Sequence, residues 1–158
     1  MRDIYSGKTK NWQPLGGDDR RILAFQRPEG SGSQTLLQHI MGDTPIMEPL
    51  KTEYIPSMGG IGESVAEYNG DAGALGFSFK FFLTGMLGRE DAPVKMLAID
   101  GVFPTDENIR SGKYPFATKL YAITLKSNTK PQLAAFLNWM QSPQGQELAE
   151  KVGYVRLQ

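Results

Sequence analysis

The residues of this chain best suited to chemistry lie together, in Arg27-Pro28-Glu29-Gly30-Ser31-Gly32-Ser33-Gln34-Thr35. Upstream, Ile22-Leu23-Ala24-Phe25 is a short apolar run that reads as a buried strand, and downstream Leu36, Leu37, Ile40 and Met41 fall at helical spacing. A glycine-rich turn between strand and helix aims unpaired backbone N–H groups, and the positive end of the helix dipole, at one point. Such a point suits an anion. Gly30 and Gly32 let the backbone approach closely, Ser31 and Ser33 add hydroxyl donors, and Arg27 brings a permanent cation able to grip two oxygens. The same residues also fit a plain helix cap, in which a serine satisfies the first turn and no ligand is needed. A nucleotide P-loop is not spelled out, because no Gly-Lys-Ser/Thr closes the turn.

Other reactive side chains are sparse. The chain has no cysteine, which excludes disulfides, thiolate chemistry and cysteine-based zinc sites, and His39 is the single histidine, which excludes His-based triads and multi-histidine metal sites. No metal or other cofactor is expected. The acidic pairs Asp18-Asp19 and Glu90-Asp91 could be imagined as metal ligands, but read as solvated loop residues. Lysine plus arginine balance aspartate plus glutamate at 17 each, so no long-range field marks a nucleic-acid or membrane-surface binder. The aromatic run holding Phe79, Phe81 and Phe82 reads as packing, since basic residues do not interleave densely enough for single-stranded nucleic acid. No apolar stretch is long enough for a signal-peptide core or a bilayer span.

The remaining elements must carry this turn. The 158 residues suffice for one ordinary domain with its own core. Ile4-Tyr5 followed by Ser6-Gly7-Lys8 reads as the tail of a helix. Asn11 to Asp19 is a loop held by whatever pocket accepts Trp12, and Gly42 to Pro56 is irregular connection. Ser57-Met58-Gly59-Gly60 opens a second glycine-rich helix start with Ile61, Val65 and Tyr68 on one face, which either aims further amides at the same anion or simply enters a packing helix. Ala74 to Phe77, Val94 to Ile99 and Lys119 to Leu125 read as strands. Thr105 caps a short helix over 106–110, and Ser111-Gly112-Lys113 stops it, repeating the earlier Ile-x-Ser-Gly-Lys. Leu133, Phe136, Leu137 and Met140 mark an amphipathic helix, and Ser142-Pro143 opens a last one that stops at Gly153. This alternation predicts an α/β fold with a largely parallel sheet covered on both faces, ligands sitting at the carboxyl ends of the strands.

The motif Arg27 to Ser33 resembles the phosphate-contacting motif of PstS-like phosphate-binding proteins, the extracytoplasmic solute-binding proteins of phosphate ABC transporters. The likeness extends through Ile4 to Lys8 with Asn11-Trp12, Gly73 to Phe77, Ile99 to Val102 with Pro104-Thr105, Asn108 to Pro115, Ser142 to Gln146 and Lys151 to Val155. It implies a type II periplasmic-binding-protein-like lobe that closes over phosphate and hands it to a membrane permease without chemical change, outside the cytoplasm. By position, Arg27 would pair with phosphate oxygens, Ser31, Gly32 and Ser33 would donate hydroxyl and backbone N–H bonds, and Glu29 and Gly30 would support them from behind. Ser33 stands where threonine is common in the family. The resemblance also implies that residues 1–114 form the second, phosphate-binding lobe and 115–158 a strand and two helices that return to a first lobe. The family's first-lobe glycine/serine loop and proton-accepting aspartate have no counterpart in the sequence. Three situations would cover the last helices: an excised fragment of a longer protein, a natural short homologue, or a homo-oligomer. An oxyanion-sensing or structural module of the same fold is the alternative function.

Overall fold

In a computed structural model, residues 1–49, 54–56, 60–86 and 94–157 are described, and they form two compact units, Met1–Val94 and Lys95–Gln158.

The first unit is built on the apolar run identified in the sequence. β1 (Ile22–Ala24) pairs in parallel with β2 (Gly73–Leu75), in register Ile22↔Gly73, Leu23↔Ala74 and Ala24↔Leu75. Because side chains alternate along a strand, β1 buries both faces. Ile22 and Ala24 pack with Ile4 and Tyr5 of α1 (Arg2–Tyr5) and with Leu37 and Met41 of α2 (Gly32–Met41). On the opposite face, Leu23 and Phe25 meet Ala72, Val65 and Tyr68. Val65 lies on α3 (Gly60–Glu67), the helix expected from Ile61, Val65 and Tyr68, although Ser57, Met58 and Gly59 of the predicted glycine-rich entry lie outside the described residues. The run is thus a buried parallel strand with a helix on either side.

Two devices hold β2 in place. Trp12, beside the 3₁₀ turn Gln13–Leu15, donates its indole N–H to the carbonyl of Gly73 at 3.1 Å, which identifies the pocket the sequence left open for that ring. Arg20 donates to the carbonyls of Gly70, Asp71 and Ala72, closing the loop that leads into the strand. Gly7 ends α1 with φ +76°, the left-handed stop that its place after Ile4-Tyr5-Ser6 predicts. The phenylalanine-rich stretch forms a π-helical turn, Phe82–Met86, with Phe81 and Phe82 edge to face at 5.2 Å.

In the second unit, Ile99 and Val102 exchange backbone hydrogen bonds of 3.0 and 2.9 Å around Asp100 and Gly101, both at positive φ, a tight two-residue turn. α4 (Asp106–Arg110) is capped by Thr105, whose hydroxyl accepts from the Asn108 N–H, and it carries Asp106 and Glu107 in the first turn and Arg110 in the last, as the helix dipole favours. α5 (Pro131–Gln141) and α6 (Pro143–Lys151) form a helical hairpin in which Ser142 ends the one and caps the other. A Cβ on Gly145 would run into the backbone of Trp139 and Met140, so only glycine lets the two helices meet this closely.

Two predicted strands do not form. Val94 to Ala98 is irregular, with a single bridge at Ile99, and Lys119 to Leu125 has no strand partner. The alternation of Lys119 to Leu125 is real, but a strand is stable only when its N–H and C=O groups meet a neighbour. Among the described residues none lies alongside, and Leu120 and Ile123 are 77% and 93% exposed. The sheet seen is therefore two strands wide.

Candidate functional site

The strand-to-helix junction forms as the sequence predicts. β1 runs on through Phe25, whose N–H donates to Leu75, into Gln26, which bridges in parallel to Tyr54. Gly30 takes φ +81°, a conformation that favours glycine, and turns the chain into α2. Ser31 is the N-cap: its hydroxyl oxygen accepts the Gln34 N–H at 3.3 Å, and its carbonyl accepts Thr35. The N–H groups of Gly32 and Ser33 meet no acceptor among the described residues, leaving the first turn of a ten-residue helix with free donors.

The turn is fixed by a buried amide network. Gln34 donates to the side-chain oxygen of Gln26 at 3.1 Å and accepts the Arg27 N–H at 3.2 Å, while Gln26 donates to the Met47 carbonyl at 2.9 Å. One glutamine therefore ties the end of the strand to the first turn of the helix. Gln26 lies outside the motif picked out in the sequence and Gln34 is assigned no role within it, yet the spacing Ser31-x-x-Gln34 is that of a capping box. Here the glutamine reaches past the cap to the strand.

Arg27 is 9% exposed, and its guanidinium donates through Nη2 to the Pro56 carbonyl at 3.2 Å. Its Nε is buried without a partner, and so is the hydroxyl of Ser33, itself 3% exposed; these are the two such side-chain atoms found among the described residues. No carboxylate pairs with the guanidinium there. Glu29, expected to steady the arginine, is exposed and shares with it the lining of a cavity of about 460 Å³. Gln34 and Gln38 of α2 line that cavity, as do Met47 and Pro49. A Cβ on Gly32 would lie 3.5 Å from Phe79, so this ring covers the helix start on another side.

The structure thus places Arg27, Glu29, Gly30, Ser31, Gly32 and Ser33 in one junction, and hydrogen bonds join Arg27 to Ser31 through Gln34. His39 sits exposed in the last turn of α2, away from the helix start. Asp19 accepts from Asn11 at 2.9 Å in an exposed loop, Glu90-Asp91 lies outside the described residues, and no group of three metal-capable side chains gathers among those described. No helix there is long and apolar enough to cross a membrane.

Known proteins of similar sequence and fold give the family of the chain. The model of the PBP superfamily domain matches residues 1–144. The phosphate-binding protein PstS of Bacillus subtilis is 30% identical over 157 residues, covering 98% of this chain and 48% of that protein. A Clostridium perfringens structure, described as a phosphate ABC transporter substrate-binding protein with bound phosphate, superposes with a TM-score of 0.79 at 25% identity, over 99% of this chain and 60% of that one. An ABC-type phosphate transport receptor from Vibrio cholerae shares the fold, with a TM-score of 0.73 at 22% identity over 98% of this chain and 60% of that one. The chain therefore spans about half the length of the curated relative and three-fifths of the solved chains. Its α/β architecture is that of a lobe of the type II periplasmic binding-protein fold, and the chain belongs to the PBP superfamily.

Proposed function

We propose that this chain binds inorganic phosphate or a similar tetrahedral oxyanion at the junction of β1 and α2, as the solute-binding part of an ABC-type uptake system outside the cytoplasm, and does no chemistry on it. One observation carries the reading: among the described residues, Arg27 Nε and the Ser33 hydroxyl are buried donors that meet no partner. Leaving a buried donor unmade costs about 1–3 kcal/mol, more for a charged group, so two at one junction need a compensating acceptor. An oxyanion is a compact cluster of acceptors.

In this reading Arg27 contributes the cation, the Gly32 and Ser33 N–H groups and the hydroxyls of Ser31 and Ser33 donate, and Gly30 gives the turn its shape. Ser31 can do so while capping α2, because its oxygen accepts from Gln34 and its proton remains free. Glu29 stands at the rim and does not touch the anion, which a carboxylate would repel. This donor set resembles an oxyanion trap and contains no base placed to activate a nucleophile. It also gives little ground for separating phosphate from sulfate, because the proton of hydrogen phosphate needs an acceptor.

Residues 115–158 complete the proposal as the segment that returns to a first lobe; the exposed Leu120, Tyr121, Ile123 and Leu125 fit a surface awaiting that cover or a second copy of the chain. Closure of two lobes would deliver the anion to a permease. Titration calorimetry with phosphate and sulfate on the wild type and on Arg27→Ala is the test. Heats that saturate for the wild type and vanish for the variant are expected; equal heats from both would remove Arg27, and with it the proposed site.

A further inference from the structure

The loop between α3 and β2 carries a reactive dipeptide that the oxyanion site does not use. Asparagine occurs at positions 11, 69, 108, 128 and 138, and Asn69 alone is followed by glycine. Asn69 and Gly70 are both exposed, in the irregular stretch after α3. Neither the Asn69 side chain nor the Gly70 N–H meets a partner among the described residues. The other asparagines are held. Asn11 donates to Asp19, Asn108 donates to the Phe103 carbonyl, Asn128 accepts the Lys130 N–H, and Asn138 lies inside α5, where the next N–H belongs to the helix ladder.

Packing explains the glycine. A Cβ at position 70 would run into the hydroxyl and ring of Tyr68, and that ring is packed against the cluster of Leu23, Phe25 and Ala72. Beyond it, Arg20 holds the carbonyls of Gly70, Asp71 and Ala72. The chain is thus fixed on the carbonyl side of residue 70 and untethered at its nitrogen. A glycine nitrogen has no Cβ beside it to hinder an attack.

We infer that Asn69 is a site of spontaneous deamidation. The Gly70 nitrogen, after losing its proton to solvent, attacks the side-chain amide carbon of Asn69. A C–N bond forms, the bond to the side-chain nitrogen breaks, and ammonia leaves with a proton taken from water. Water then opens the five-membered succinimide at either carbonyl, giving aspartate or isoaspartate, so one water is consumed and one ammonia released. The isoaspartyl form lengthens the main chain by one methylene just ahead of the Gly70 carbonyl, which Arg20 Nη2 holds at 3.2 Å, and so loosens the loop that feeds β2.

The test is peptide mapping of the full chain over a time course at neutral pH. Trypsin releases residues 52–80 as one peptide, which holds Asn69 as its sole asparagine and no glutamine, so a gain of about 1 Da there reports this residue. With the N–H unbonded, the fold adds less than one hydrogen bond to the barrier. The folded chain should therefore deamidate within about tenfold of the rate of the free 52–80 peptide, and ahead of every other asparagine. Asn69→Gln, whose ring would need six members, should keep its mass over the same period. Aged wild type should melt about 2 °C or more below fresh protein, through loss of one charged-donor hydrogen bond, and aged Asn69→Gln should not. An unchanged 52–80 peptide from folded protein under conditions that convert the free peptide, or an equal mass gain in Asn69→Gln, would overturn the inference. A modified chain that melts like fresh protein would show that Arg20 keeps its hold and remove the effect on β2.

Discussion

A guanidinium kept for a ligand behaves differently from one kept for the fold, and Arg27→Met separates the two. In the ligand-free protein the arginine is about nine-tenths buried, gives Nη2 to the Pro56 carbonyl and leaves Nε unpaired. Methionine would forfeit the Pro56 bond, worth about 1.5–3 kcal/mol for a charged donor, and would relieve an unpaired buried donor costing about 1–3 kcal/mol. The two nearly cancel, in line with the general result that replacing buried charge by apolar volume is often neutral or better. The ligand-free variant should therefore melt within about 4 °C of the wild type, a 1 kcal/mol change being about 2–4 °C for a chain of this length.

Added phosphate should act on the wild type alone. At a hundred times the dissociation constant a ligand stabilises by about 2.7 kcal/mol, on the order of 5–10 °C here. Scanning fluorimetry at constant ionic strength reads both quantities, and the variant doubles as the control for general salting effects of phosphate. If Arg27→Met unfolds the ligand-free protein by more than about 3 kcal/mol and the survivor still responds to phosphate, the arginine is a structural clamp on the 56 carbonyl and the argument for the site is wrong.

Three further outcomes follow from the fold. Gly73→Ala would drive a methyl group into the Trp12 indole, so loss of the indole bond and overpacking together should cost about 2–4 kcal/mol, read in urea titrations and in tryptophan emission. Burial drives the Tyr5 phenol above its ordinary 10.0; neutral in the fold and free to ionise when unfolded, it should leave stability flat below pH 10 and falling by about 1.4 kcal/mol per unit above it, a slope that Tyr5→Phe reduces. Ile123→Lys, on the most exposed of the apolar residues at 119–125, should lower self-association in light scattering and leave the melting temperature within about 1 °C; unchanged scattering would show that this strip is not sticky.

The parts of this fold that could be read from sequence were those whose cause is local. Ile22 to Phe25 announced a strand buried on both faces because its apolar residues do not alternate, and Gly7, Gly112 and Gly153 announced helix ends because each follows a periodic run; all three take positive φ. Thr105 and Ser142 cap the helices they precede. Lys119 to Leu125 misled for the complementary reason. Alternation prepares a strand, but pairing is a property of two segments, and a single stretch says nothing about whether its neighbour is there. The Trp12 pocket was equally out of reach, since its acceptor is a carbonyl 61 residues away.

At the site, the motif pointed to the donors but not to what leaves them available. A charged or hydroxylic side chain beside a flexible loop would normally find some internal acceptor, because an unmet donor is costly. Here the nearby amide acceptors are already committed: Gln26 to Gln34, Gln34 to the Arg27 backbone, and the Met47 carbonyl to Gln26. Ser31 is likewise occupied in capping, so the hydroxyl two residues on, Ser33, is the one left over. The neutral network consumes the junction's own acceptors and fixes the strand end against the helix, so on the proposed reading an anion arriving there would find donors in place and little ordering left to do. Preorganisation of the proposed site would therefore be a property of two glutamines that no charge-based reading would select, and the arginine and serine would serve an anion because those glutamines have nothing left to offer them.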